Sequence, residues 1–485
     1  MAKAVPRILL LLIALLPVQV RAQSEPDSVQ AAASSAPSAP SAPSAPSAQP
    51  ASSISYWGEA SPVPGDSTLA RFVNPPRPLW ESAIYWPVRI VSYPLALTVR
   101  GIGSGVEALD DSKVLYRIGR LLAPRRGPFG VLLDFRAGGI SGLGGGVIAE
   151  HGAFFGKGNL FRLRAETTTR GDHRVNLGLK FPSSHDGATE FGLGYRIRGY
   201  ARYFGVGPST SDDAESFYHQ ESAWAGASRA WGVGDGVHVQ GDVLYSSIAA
   251  GAPGSKEHPS IETEYAADLP FGYGHHSYGW TLGAQITQQN GLGPWRATHG
   301  GLRRIRASRF VGSSSDDTDF WTFRGEAQQY LTLFLPYRVL ALRGFASWME
   351  LSEGGAVPFQ RLLTNDDPDL LRGYEDFRFR DRGMAVLSAE YRWPLWSHME
   401  QEGSGVDVYL LSDAGQVFHD VDQLGGGNLT YSYGGGLRLE SAAGFRLRLE
   451  IARSEEQTMF RLRADQIFQF MKGSLYFGRD PVPDR

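Results

Sequence analysis

Cysteine is absent from all 485 residues. Disulfide frameworks, thiolate metal centres and cysteine nucleophiles are therefore excluded, and a chain crossing an oxidising compartment has no thiols to mispair. Beyond the N-terminus there is no continuous apolar run long enough for a transmembrane helix, which argues against a helical membrane protein. Positive charge is not in excess. Lys and Arg total 47 against 50 Asp and Glu, a formal net charge of −3. A nucleic-acid binder usually carries a basic face, so no nucleic-acid partner is expected. No Gly-x-Ser-x-Gly elbow and no phosphate-binding Gly-x-x-x-x-Gly-Lys loop occurs. No catalytic residue, metal or cofactor is assigned, and the expectation is a protein that is not an enzyme.

What the chain does have is glycine and aromatic side chains: 59 Gly, 25 Phe, 20 Tyr and 11 Trp. A transmembrane β-barrel needs only one apolar face per strand, so its mean hydropathy resembles that of a soluble protein. Aromatics then form girdles at the two membrane surfaces. Residues 1–22 read as a secretory signal, with Lys3 and Arg7 ahead of the apolar run Ile8 to Leu16 and a small-residue site at Val20-Arg21-Ala22. Residues 23–55 form a Ser/Ala/Pro-rich linker in which Ser-Ala-Pro repeats four times between Ser35 and Pro46. Proline fixes φ and removes donors, so this stretch is expected to be extended and solvated. Residues 56–128 carry short amphipathic patterns (Val99, Ile102, Val106, Leu109; Val114, Leu115, Ile118, Leu121) that suggest a periplasmic or plug-like helical segment.

From Phe129 onward the period changes to two. Phe161 to Glu166, Phe191 to Arg198 and Phe445 to Ala452 each alternate apolar with polar or charged residues. Successive side chains on a strand point to opposite faces, so each run has one lipid-compatible face and one wet face. Divided among sixteen strands, residues 129–477 allow about 22 residues each, enough for a tilted strand and a connection. The fold class expected is all-β, a transmembrane antiparallel barrel of about sixteen strands over residues 129–485, with a short N-terminal helical segment.

One stretch stands apart: Leu370-Leu371-Arg372-Gly373-Tyr374, then Phe379-Arg380-Asp381-Arg382-Gly383. It is followed in order by Ser388-Ala389-Glu390-Tyr391-Arg392-Trp393-Pro394-Leu395, by the Asp-x-Gly of Asp413-Ala414-Gly415, and by Tyr433-Gly434-Gly435-Gly436-Leu437. Tyr203-Phe204-Gly205-Val206-Gly207-Pro208 adds a segment in the first half. This ordered series resembles the BamA/TamA superfamily of outer-membrane barrels, also described as bacterial surface antigen proteins. The resemblance implies that Arg372, Gly373 and Tyr374 belong to a long loop folded back into the lumen. It also implies that Arg372 meets an inner-wall acid, placed here at Asp413 with Gly415 beside it. Glu390 is a nearby second acceptor. A loop crossing a wet lumen loses chain entropy when ordered, and an arginine–carboxylate fork is a directional anchor for it. Gly373 would permit a tight bend and Tyr374 would pack on the wall. The chain departs from the family in two respects: residues 23–128 are too short and too Pro/Ser-rich for a set of POTRA domains, and Gly478–Arg485 trails beyond Phe468, Phe470 and Phe477, where such barrels usually end on an aromatic.

Other clusters are read more plainly. Asp316, Asp317 and Asp319, and Asp366, Asp367 and Asp369, fit solvated loop tips better than calcium sites. Adjacent His275 and His276 point to opposite faces of a strand. Arg303, Arg304, Arg306 and Arg309, like Arg378, Arg380 and Arg382, read as lumen charge paired with opposing acids in preference to lipopolysaccharide or anion contacts. The expected location is the cell outer membrane. Expected partners are outer-membrane lipids and lipopolysaccharide, with nascent outer-membrane proteins or periplasmic factors as further candidates. The expected role is outer-membrane protein assembly or protein/lipid translocation; a passive pore or structural surface antigen is the alternative, and a membrane-embedded hydrolase ranks last.

Overall fold

The computed structural model describes residues 129–466 apart from short breaks, together with the backbone of Ile54–Ser55 and Arg125–Arg126. The predicted signal, most of the linker, the amphipathic segment and the aromatics Phe468, Phe470 and Phe477 lie outside the described residues. Sixteen strands follow one another: β1 (Phe129–Ala137), β2 (Leu143–His151), β3 (Leu160–Thr168), β4 (His173–Ser183), β5 (Gly187–Tyr203), β6 (Ser216–Gly234), β7 (Val237–Gly251) and β8 (His276–Asn290). They continue with β9 (Gly300–Gly312), β10 (Asp319–Thr332), β11 (Val339–Leu351), β12 (Gly383–Ser397), β13 (Gly405–Phe418), β14 (Thr430–Glu440), β15 (Phe445–Arg453) and β16 (Thr458–Gln466). Each pairs antiparallel with the next in chain order. The expected architecture is therefore the observed one, an outer-membrane-type β-barrel. Among the described residues no helix is long and apolar enough to cross a membrane; the crossing elements are strands.

Period two decides which way each side chain faces. Leu387, Leu410, Tyr433, Leu449 and Phe460 are all well exposed and form the outer band. Their chain neighbours Ser388, Leu411, Ser432 and Glu450 turn inward. Opposed residues in an antiparallel ladder share a face. Asp413 stands opposite both Ser388 and Ser432, so all three line the lumen. At one rim, the Trp348 and Phe418 rings stack 5.6 Å apart with only 8° between their planes. They flank Gly383, the residue opposite both, whose Cβ would lie 2.2 Å from the Phe418 ring.

The connections sort by length. Those after β5, β7, β11 and β13 are long and those after β4, β6 and β10 are short, which places the long set outside the cell and the short set in the periplasm. The longest, residues 352–382 between β11 and β12, does not project outward. It folds into the lumen, where Leu363–Thr364 and Arg380–Asp381 form a two-stranded ribbon. Around it the outer half of the lumen is filled with apolar side chains. Tyr203, Tyr218, Phe310, Phe320, Phe359 and Tyr374, with several Leu and Met side chains, make one buried apolar cluster. Its members come from β5, β6, β7, β9, β10, β11, β12, β13, the β7–β8 connection and the loop, so the wall curls round the loop on every side that these strands supply.

Candidate functional site: the lumen loop and its wall

The loop is held at its middle by Arg372. Its Nε and Nη2 donate to Asp413 Oδ2 and Oδ1 at 3.0 and 2.7 Å, and its own backbone N–H donates to Asp413 Oδ2 at 3.0 Å. The remaining nitrogen, Nη1, binds Glu390 and lies 3.9 Å from Glu450. Asp413 is fully buried and Arg372 almost so. Burying ions is costly unless they are paired and hydrogen-bonded, and here one guanidinium faces three carboxylates. Ser432 completes the carboxylate by donating to Asp413 Oδ2 at 3.1 Å. The four wall residues sit on β12, β13, β14 and β15, so a single loop side chain ties four consecutive strands together. The structure thus brings Arg372, Asp413 and Glu390 together in the lumen. Glu450 and Ser432 are additions that no motif marked.

The two glycines work through space and not through backbone freedom. A Cβ on Gly373 would meet Ser432 Cβ at 2.6 Å and the β15 backbone at Arg453 at 3.0 Å. Gly415 leaves room for Leu371, whose Cδ2 would be 3.0 Å from an added Cβ. The tight bend expected at Gly373 falls instead on Leu371, which adopts φ 51°. That is the left-handed region, uncommon and costly for a residue with a Cβ, and it persists because Leu371 is wedged in the core. Tyr374 packs as expected, and its hydroxyl reaches the Tyr431 carbonyl and Glu455. Burial, with Glu455 and Glu456 nearby, pushes that phenol up to about 12.

The loop has further anchors around the wall. Arg361 is fully buried; it donates to Ser277 Oγ at 2.6 Å, the Ser277 carbonyl at 2.7 Å and Ser246 Oγ at 3.2 Å, and lies 4.1 Å over the Phe310 ring. Arg378 binds Thr210 and Glu456. Glu375 pairs with Arg202 on β5, and Arg461 on β16 donates to the Tyr374 carbonyl at 2.6 Å. Sequence reasoning missed Arg361, because its serine partners carry neither charge nor motif. The Tyr203–Pro208 segment is recovered as a loop whose Gly207 N–H donates to the Arg380 carbonyl at 2.8 Å.

The arginine clusters divide by strand parity. Arg304 and Arg306 face the lumen, Arg306 forking onto Asp242 at 2.6 and 2.8 Å. Arg303 and Arg309 lie on the outer face, so the reading of all four as lumen charge holds only for half of them. Arg309 pairs there with Asp319 at 2.6 Å. Asp369 pairs with Arg448 at 3.0 Å. Among the described residues no group of three His, Asp or Glu is arranged to hold a metal.

The sequence matches the Omp85 superfamily domain over residues 153–474. Among solved structures, a similar one is BamA from Haemophilus ducreyi lacking POTRA domains 1–3, at TM-score 0.53 and 16% identity over 70% of each chain. CdiB from Acinetobacter baumannii matches at TM-score 0.43 and 12% identity, over 69% of this chain and 56% of that one. CdiB from Escherichia coli matches at TM-score 0.46 and 11% identity, over 70% and 61%. A comparison with curated proteins finds no match.

Proposed function

The chain belongs to the Omp85 superfamily, and from that premise we propose that it acts, without catalysing a reaction, in assembling or translocating proteins at the outer membrane. Nascent outer-membrane proteins are the clients of this reading, and the lipids around the outer band are its solvent. The observation that carries it is the filled lumen. A diffusion pore needs a continuous wet path, yet the outer half of this lumen holds an apolar cluster built on the Arg372 and Arg361 anchors. Space for solute is given up to a strut that joins β7 and β8 to β12–β15. Such a strut keeps one sector of wall rigid and leaves the remaining strands as the part able to deform against a client or lipid. This arrangement also counts against the passive-pore alternative.

The test is depletion of the protein in its host, scored for the levels of several unrelated barrel proteins and for lipid asymmetry of the outer membrane. A fall in barrel proteins, restored by the wild-type chain but not by an Arg372→Glu chain that still reaches the membrane, is the expected result. Loss of lipid asymmetry with barrel levels intact would move the role to lipid handling, and no change in either would remove the assembly reading.

A further inference from the structure

Among the described residues the other buried aspartates have arginine partners: Asp413 has Arg372, Asp242 has Arg306 and Asp407 has Arg438. Asp381 breaks the pattern. It is 1% exposed in the loop ribbon, and its Oδ1 accepts only the Arg382 N–H at 2.8 Å and faces His419 Nδ1 at 3.3 Å. Among the described residues its Oδ2 has no hydrogen-bond partner. The flanking arginines are turned away: Arg380 donates to the Phe359 carbonyl at 2.6 Å, and Arg382 to Asp420 at 2.9 Å. An ionised carboxylate so buried costs several kcal/mol unless a cation reaches it.

Asp381 lines a cavity of about 510 Å³ on the extracellular side, walled by Val206 and Ser209, by His419 and Gln423, and by Asn428. Three connections around it (residues 204–215, 419–429 and 454–457) contain seven acids and no lysine or arginine. Burial, and the crowding of Asp212 and Glu455 against it, hold the Glu456 carboxyl above its ordinary range despite Arg378. Val206 and Leu429, both over two-fifths exposed, give the mouth an apolar lip. We propose that this cavity receives a basic side chain, an arginine or lysine of a cationic polypeptide arriving from outside the cell, with Asp381 as its counter-ion. The acidic connections steer the approach, and the apolar lip takes the residues flanking the inserted one.

His419 is the resident competitor. Its ring nitrogen Nδ1 lies 3.3 Å from Asp381 Oδ1, in the place an inserted cation would take.

The experiment uses the full chain in nanodiscs and a fluorescent hexa-arginine peptide, with hexa-glutamate as control. Saturable binding of hexa-arginine should weaken by about tenfold or more in Asp381→Asn. Asp212→Asn with Asp213→Asn should lower mainly the association rate. His419→Ala, which removes the competitor, should bind hexa-arginine more tightly than the wild type. Should Asp381→Asn fail to show the heat-modifiable mobility of a folded barrel, Ser209→Trp, which fills the cavity from another connection, must give the same loss. Unchanged affinity in the variant that does fold, or affinity that follows only Asp212 and Asp213, overturns the proposal.

Discussion

Asp413 binds both ends of residue 372, taking the guanidinium on two oxygens and the backbone N–H on one of them. The contact therefore fixes the course of the loop's main chain as well as a side chain. A charge swap restores attraction but cannot restore an acceptor for that N–H. Asp413→Ala should cost about 3–5 kcal/mol, the range for breaking a buried pair. Arg372→Glu with Asp413→Arg should recover only part of the loss. Resistance of the folded barrel to trypsin and its unfolding temperature in detergent report both; full rescue by the swap would mean that the backbone contact contributes nothing.

Gly373 and Gly415 should tolerate alanine unequally. At Gly373 the obstacle includes β15 backbone, which cannot move aside, so Gly373→Ala should cost about 1–3 kcal/mol by overpacking. Adding Ser432→Gly should recover part of this and no more. At Gly415 the nearest atoms are the Leu371 and Val386 side-chain ends, which can give a little, so Gly415→Ala should be the milder change. Equal unfolding temperatures for the two variants would contradict the packing assigned to them.

The strands and the Arg372 anchor were legible because each rests on a local or charged signal. Alternation along Phe191 to Arg198 fixes a strand and both its faces, and an arginine needing a carboxylate narrows its partners sharply. The Arg361 anchor was not legible: Ser246 and Ser277 are ordinary residues until β7 and β8 pair and set them side by side. The four arginines of β9 were legible only in part, since parity sends alternate ones to opposite faces and the acids opposite them become known only from the register.

Leu410 and Leu411 give a test of facing that depends on one residue of register. Leu410 is 65% exposed on the outer band near the middle of β13, whereas Leu411 is buried against Tyr409 and Ala452. Leu410→Arg should cost about 2–4 kcal/mol, as for arginine at the bilayer midplane. Leu410→Phe should be silent, and Leu411→Phe should be disruptive through overpacking inside. Refolding titrations in lipid vesicles distinguish these outcomes; an innocuous Leu410→Arg would place that residue away from lipid.

Asp381 also carries a pH dependence of known sign. Burial holds its carboxyl above the ordinary 3.8, outweighing the Arg382 N–H and His419. A folded state that keeps a proton the unfolded chain releases loses stability as pH rises across that window, and keeps it fully below the unfolded value. The neutral amide of the Asp381→Asn variant mimics the protonated acid, so variant and wild type should unfold at similar temperatures near pH 3.8. The variant should become the more stable of the two as pH rises. A difference that shrinks or stays flat over that range would contradict the cost assigned to the buried charge.

The filled lumen makes a prediction about current. In planar bilayers the wild-type barrel should conduct poorly, because the apolar cluster around Phe359 and Tyr374 occupies the outer half of the lumen. Removing one anchor should not be enough, since Arg361 and Arg372 hold the loop to opposite walls. With Arg361→Ala alone, Arg372 still ties the loop to β12–β15, and the expected change is brief flickering. With Arg361→Ala and Arg372→Ala together both ties are gone, the loop's ordering entropy is no longer offset, and long open events of large conductance should appear. Large steady conductance from the unaltered barrel would show that the loop leaves the lumen readily, and would return the passive pore to first place.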